Sequence, residues 1–254
     1  MGRVRGVRGR LRAGWVASCL LFSHRALAGP PFTTDDPEPV EYRHWELYLA
    51  SEAFGTGGVG SDGTLPHVEV NYGAVPDLQL HALIPLAWAR AEGTPFQYGP
   101  GDVELGAKFR FVHEDGWVPQ IGTFPLLELP TGSAARGLGA GHVEVLVPLW
   151  LQKSFGPWTT YGGGGYWIGN PGPGGSWYVG WQAQYQFGGW LAVGAEVYHG
   201  MAGQDGAPTD TRFNLGLVAD LSELQHLLFS AGHAFTGPSA QAYLAYQLTF
   251  GPRE

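Results

Sequence analysis

Three His-x-Glu pairs punctuate the sequence, at His44/Glu46, His67/Glu69 and His142/Glu144. Residues two apart share a face of a β-strand, so each imidazole could stand beside its carboxylate and hold a metal or relay a proton. Zinc deaminases use a related motif, but only with downstream cysteines, and the single cysteine here is Cys19. Mutual solvation on a polar face is the simpler reading. A second constellation, Asp102, Glu104, Lys108 and Arg110, sets both charge signs on one face of one segment. Glu128, Glu144, Glu196, Arg212 and Asp220 fall on matching faces of other segments. Together with Glu46 and Glu69 these are candidate lining residues of an enclosed passage. Such a ladder could set the field at a constriction, as charged rings do in pores, or it could pair across strands and plug the interior.

Other groupings carry less chemistry. Asp35-Asp36-Pro37-Glu38 could offer carboxylates to Ca²⁺, but a solvated or lumen-inserted strap explains it as well. Gly162–Gly165 is followed by a strand-like aromatic run, not by the helix start that a phosphate-cradling loop needs. It reads as a bent strand whose bare backbone is covered by aromatic neighbours. Gly137-x-Gly139-x-Gly141 is a loop in the same sense. There is no Gly-x-Ser-x-Gly elbow in the sequence. No catalytic, cofactor-binding or metal-binding residue is therefore assigned, and no cofactor is expected.

The elements that must position these groups are strands. Val103, Leu105, Ala107, Phe109 and Phe111 alternate with Asp102, Glu104, Lys108 and Arg110. Val143, Val145, Val147, Leu149 and Leu151 oppose His142, Glu144 and Gln152; Trp177, Val179, Trp181, Ala183, Tyr185 and Phe187 oppose Gln182, Gln184 and Gln186. The same period of two recurs around Leu215 and Leu244. Gly, Pro, Asn and Asp clusters separate the segments. About twelve strands result, of the length that spans a bilayer when tilted, and their connections alternate long and short except at 236–238, which is short where a long one is expected. Long ones are expected at 55–64, 89–100, 131–139, 169–176 and 200–209. Short ones are expected at 74–77, 113–116, 153–156, 188–189 and 222–224.

Composition agrees. Of 254 residues 41 are glycine, roughly twice the usual share, which a helical bundle could not absorb. Aromatics at 13% argue against disorder, and no apolar run is long enough for a transmembrane helix. Residues 1–28 carry Arg3, Arg5, Arg8, Arg10 and Arg12, then an apolar stretch, then Arg25 and Ala26-Leu27-Ala28, the pattern of a cleaved secretory signal. Val16-Ala17-Ser18-Cys19 resembles a lipoprotein box only loosely, because the apolar stretch before it is too short. Beyond residue 28 there remain 8 basic residues (14 less six arginines) against 22 acidic ones, a balance that disfavours nucleic acid.

Alternation does not say which face is inside. A soluble barrel turns its apolar face inward; an outer-membrane barrel turns it to lipid and keeps a polar lumen. Three features favour the membrane. An even strand number removes exposed edges. Beyond residue 28 only Lys108 and Lys153 are lysines. Aromatics gather near strand ends at Trp45, Trp88, Trp117, Trp158, Trp177, Trp190 and Tyr198, as interfacial girdles do.

Four stretches add a resemblance: Thr33-Thr34-Asp35-Asp36-Pro37 with His44-Trp45-Glu46-Leu47; Glu69-Val70-Asn71-Tyr72-Gly73 with Pro76-Asp77-Leu78-Gln79-Leu80; Gly101 to Phe111; and Leu129-Pro130-Thr131-Gly132 with Gly137-Leu138-Gly139-Ala140-Gly141. In this order they resemble the meta-pathway of phenol degradation family of outer-membrane β-barrel "transporter" proteins. The resemblance implies a barrel associated with uptake of hydrophobic or aromatic compounds, and assigns no residue a role.

The expectation is thus an all-β chain: a secretory signal at 1–28, a periplasmic lead-in at 29–42, and a transmembrane antiparallel up-and-down barrel of about twelve strands at 43–254. Its place is the outer membrane of a Gram-negative bacterium, with membrane lipid, barrel-assembly machinery and small hydrophobic or aromatic solutes as partners. A barrel of this size lies between filled eight-stranded and open sixteen-stranded ones, so a narrow lumen is expected, partly occupied by side chains or by the lead-in. The expected function is porin-like passive uptake by a non-enzyme. An outer-membrane lipid hydrolase and a non-transporting structural barrel are the alternatives.

Overall fold

A computed structural model of the chain describes residues 30–57, 60–169, 175–201 and 210–252. The signal predicted at 1–28 and most of the loops predicted at 169–176 and 200–209 lie outside them. The described chain forms β1 (Trp45–Thr56), β2 (Gly60–Val75), β3 (Leu78–Ala91), β4 (Gln97–Pro100), β5 (Val103–Val112), β6 (Gln120–Thr123), β7 (Leu126–Leu129), β8 (Glu144–Phe155), β9 (Trp158–Ile168), β10 (Ser176–Phe187), β11 (Leu191–Met201), β12 (Asp210–Asp220), β13 (Gln225–Ala234) and β14 (Ser239–Phe250). A single 3-10 turn, Ala134–Arg136, is the one helical element among the described residues.

The strands close on themselves as a 12-strand antiparallel barrel with 2 extra strands. β1 pairs with β14 from Trp45↔Phe250 to Thr56↔Ser239, which removes the sheet edges. Most short turns lie at the end that carries Trp45 and Phe250, with 113–119 between β5 and β6 a longer one there, and the longest connections lie at the other end, where 57–59 and 235–238 are short. β6 and β7 occupy one place in the wall, where the sequence pattern suggests one continuous strand. Pro125 interrupts it: proline has no N–H for the ladder, and its carbonyl instead accepts from Ala107 N–H. The stretches expected as loops at 55–64 and 89–100 are partly strand, because β1, β2 and β3 run on past the wall and β4 folds back on β3 from Leu86↔Pro100 to Ala89↔Gln97.

Alternation turns the apolar face outward. Leu49, Ile84, Phe109, Val147, Leu149, Trp181, Leu215 and Leu244 are exposed on the outside of the wall, while Asn71, Gln152, Gln182, Glu196, Asn214, Ser230 and Gln247 are buried inside. Aromatic pairs mark both ends of the strands: Trp45–Tyr72 and Trp158–Tyr185 at the short-turn end, Tyr166–Trp177 and Trp88–Phe96 at the other. Trp117, 91% exposed, tips the turn between β5 and β6. Tyr198, grouped with the girdle from its position near a strand end, instead points inward.

Candidate functional site

The interior is shared between a strap and a cavity. Residues 30–41 run inside the barrel from mid-height to the short-turn end, where Tyr42 bridges Gly73 and Arg43 N–H donates to the Gly73 carbonyl at 2.7 Å. The strap fits because the facing wall is bare. A methyl group built on Gly194 or Gly216 would lie 2.9 or 2.8 Å from the Phe32 ring, and one on Gly180 would collide with Thr34. Thr34 and Asp36 are 0% exposed.

Wall side chains meet most of the strap's polar groups, as burial favours, although the Thr34 hydroxyl is buried without a partner. Glu196 accepts from the backbone N–H groups of Thr33 and Thr34 and from the Asn214 amide. Ser230 Oγ donates to the Pro31 carbonyl. Gln79 accepts from Val40 N–H at 2.9 Å. Gln152 and Gln120 donate to Glu38 at 3.0 and 3.2 Å. Lys108, itself buried, places Nζ 2.9 Å from Asp35, 3.3 Å from Asp36 and 5.1 Å above the Phe124 ring.

β5 is the spine of this arrangement, since its inward charges reach in four directions. Asp102, just before it, accepts from Gly132 N–H at 2.7 Å and Ala140 N–H at 2.6 Å, folding the 130–141 loop over the long-loop end. Glu104 meets His81 at 2.9 Å. Lys108 holds the strap. Arg110 donates twice to Asp77, at 2.9 and 2.8 Å, and to Gln120 at 2.9 Å. Asp77 lies in the turn between β2 and β3. Burial pushes its carboxyl upward, but hydrogen bonds from Arg110 and His113 outweigh that and hold it below the ordinary carboxylate range. The four stretches that carried the resemblance are thus in contact with one another through one strand.

The remaining candidate residues stand as follows. Glu46 accepts from Tyr48 OH at 2.9 Å. Glu69 accepts from Asn71 at 2.7 Å and lies 3.6 Å from His81. Arg212 meets Asp210 at 2.6 Å, and Asp220 meets His226 at 2.7 Å. Glu104, Glu128 and Glu144 are aligned across β5, β7 and β8 as Glu104↔Glu128 and Glu128↔Glu144. Of the His-x-Glu pairs only His142 and Glu144 meet, at 3.0 Å. His44 turns to the Tyr42 carbonyl and His67 to Thr64. Among the described residues no group of three or more His, Cys, Asp or Glu is placed to hold a metal.

Above the strap, toward the long-loop end, lies a cavity of about 250 Å³ lined by Thr33, Asp35, Phe124, Leu126, Leu146, Trp150, Trp167, Tyr178 and Tyr198. Phe124, Leu146, Trp150 and Tyr178 pack as one cluster. The cavity was missed from the sequence although parity marks it: Leu146 and Trp150 share a face with Glu144 and Gln152, and Tyr178 shares one with Gln182. In the Gly162–Gly165 run, Gly163 approaches Trp150 and Gly165 approaches Leu146 and Tyr178, with Trp181 covering Gly162 from outside.

Fold and interior together define the class: a closed antiparallel barrel with an apolar exterior, a polar interior and a strap inside, the architecture of outer-membrane β-barrels. No protein-family model and no curated protein matches the chain. Among solved structures it is similar to the COG4313 outer membrane channel from Pseudomonas putida F1, at 16% identity and TM-score 0.62 over 84% of this chain and 99% of that one. It is also similar to the KdgM porin in complex with disordered oligogalacturonate, at 11% identity and TM-score 0.57 over 80% and 99%. The translocator domain of the autotransporter NalP from Neisseria meningitidis gives 12% identity and TM-score 0.50 over 82% and 86%. At these identities the likeness establishes the shared barrel fold.

Proposed function

We propose that the protein is an outer-membrane channel for passive, porin-like uptake of small compounds, hydrophobic and aromatic ones included. The observation that carries this reading is the aromatic-lined cavity enclosed by a wall whose outer face is apolar and whose inner face is polar. Hydrocarbon is the surrounding that such an exterior suits, and a cleaved signal at 1–28 would deliver the chain there. The strap narrows the lower interior, so the passage favours solutes that partition into an apolar site over bulk hydrophilic flow. The resemblance to the meta-pathway of phenol degradation family and the fold shared with the COG4313 channel support the same reading. The charged residues from Glu46 to Asp220 described above then line the passage.

A hydrolase has less support. The hydroxyls of Ser230, Ser154 and Ser222 meet the Pro31 carbonyl, Thr159 and Leu224 N–H respectively, not a histidine. The test is uptake of a panel of labelled aromatic and alkyl compounds by a deletion strain complemented with wild type or with Leu126→Trp, which fills the cavity. Wild type restores uptake and the filled variant does not. Equal uptake by both refutes the cavity route, and no uptake by either refutes transport.

A further inference from the structure

Followed toward its N-terminal end, the strap circles the inside of the wall in strand order. Val40 meets Gln79 of β3, Glu38 meets Gln120 and Gln152 of β6 and β8, and Thr34 meets Glu196 of β11. Phe32 lies against Gly194 and Gly216 of β11 and β12, and the Pro31 carbonyl accepts from Ser230 of β13. The next strands in the wall are β14 and β1. There the row that holds Ser230 continues to Tyr243 and then to Glu52, which start about 5 and about 10 Å beyond it. The two residues that precede Pro31 span up to about 7 Å, so the nitrogen of residue 29 comes within reach of this pair.

Both groups suit a cation with N–H donors. Glu52 shares the inward parity of Glu46 and Tyr48, and among the described residues no hydrogen bond or ion pair engages its carboxylate. The charges that act on it, Glu104 and Asp62, are acidic as well. The Tyr243 ring lies 6.1 Å from that of His67, and its hydroxyl is buried without a partner. His67 turns to Thr64, and the inward cations are held elsewhere: Lys108 by Asp35 and Asp36, Arg110 by Asp77, Arg212 by Asp210. Cleavage after Ala28 would supply the missing charge. Hydrolysis of the Ala28–Gly29 bond consumes one water and leaves a carboxylate on Ala28 and an amine on Gly29, protonated at neutral pH because such amines titrate at about 7.7–8.0.

We infer that Glu52 and Tyr243 bind the primary ammonium of Gly29, so that the strap is pinned at its free end by a site that fills only once the signal has been cut off. In the uncut chain the same nitrogen is an uncharged amide. This rests on the cleavage predicted at residue 28 and is independent of what the channel carries.

Beyond residue 28 the chain has three amines, those of Gly29, Lys108 and Lys153, so acylation can be followed at each by mass spectrometry. The chain purified from the outer membrane and folded in detergent micelles is treated at neutral pH with the water-soluble N-hydroxysuccinimide ester of acetic acid, beside a synthetic peptide of residues 29–42. Its intact mass first shows which residue begins it. The Gly29 amine should acylate at least about a hundredfold more slowly than that of the peptide, and Glu52→Gln should speed it about tenfold or more, the value of a charge-assisted hydrogen bond. Tyr243→Phe should speed it about fivefold. The Lys153 rate, set by Glu114 at the short-turn end, should stay the same in both variants. Acylation of the wild-type amine at the peptide's rate, or an unmoved rate in folded Glu52→Gln or Tyr243→Phe, would overturn the inference; the wild-type comparison stands even where a variant misfolds. A chain that begins at a residue other than Gly29 overturns the cleavage reading and the inference with it. A chain that begins at Gly29 with a freely reacting amine keeps the cleavage and removes only the site.

Discussion

Replacing Lys108 with Met should release the strap. The ammonium lies 2.9 Å from Asp35 and 3.3 Å from Asp36, and Asp36 is 0% exposed, so the substitution leaves a fully buried carboxylate without its cation. Breaking one side of such a pair costs about 3–5 kcal/mol, which at about 1.4 kcal/mol per decade weakens docking by between about 10²-fold and about 4 × 10³-fold. The other anchors (Glu196 on Thr33 and Thr34, Ser230 on Pro31, Gln79 on Val40) remain, so the strap opens more often without unfolding the wall. A Cys19→Ser, Thr34→Cys chain in lipid vesicles reports this directly, because position 34 is shielded while the strap is docked. Labelling by a water-soluble maleimide should accelerate by that same factor in Lys108→Met. Adding Asp36→Asn removes the stranded charge and should slow it again by at least about tenfold. An unchanged rate in Lys108→Met, or no recovery in the double variant, refutes the claim that this buried ion pair holds the strap.

Other consequences follow from the same contacts. Gly216→Leu drives a side chain into the Phe32 ring and should raise labelling at position 34 while the barrel still folds. Asp102→Ala strands the N–H groups of Gly132 and Ala140, about 1–3 kcal/mol each, and should speed trypsin cleavage at Arg136 by about tenfold or more. Asp77 titrates below its ordinary range in the folded chain, so its contribution is complete above the unfolded carboxylate value, about 4, and is lost as pH falls through the folded value. The difference in denaturant midpoint between wild type and Asp77→Asn should stay level from neutral pH down to about 4 and close as pH falls from there through the folded value.

Strand number was legible because each strand has one apolar side and period two needs no knowledge of neighbours; facing came instead from the scarcity of lysine and the aromatics near strand ends. Register across the barrel was not. Asp35 and Lys108, or Asp77 and Arg110, are brought together by closure of the wall and by the path of the strap, which no local pattern encodes. The β6–β7 interruption was visible only as Pro125, a residue that also suits a strand edge or a bulge. The cavity was the avoidable miss. Apolar residues with the parity of polar ones, such as Trp150 between Glu144 and Gln152, mark places where a polar interior turns apolar, and that departure from the pattern is the signal of a site.

The whole account depends on hydrocarbon lying against the outside of the wall. Nitroxide labels placed one at a time at Phe213, Asn214, Leu215, Gly216 and Leu217 of β12 in vesicle-reconstituted protein test this most directly. The account predicts that collision with oxygen, enriched in lipid, is high at 213, 215 and 217 and low at 214 and 216. The reverse alternation, or strong collision of a water-soluble nickel chelate at 215, would contradict it.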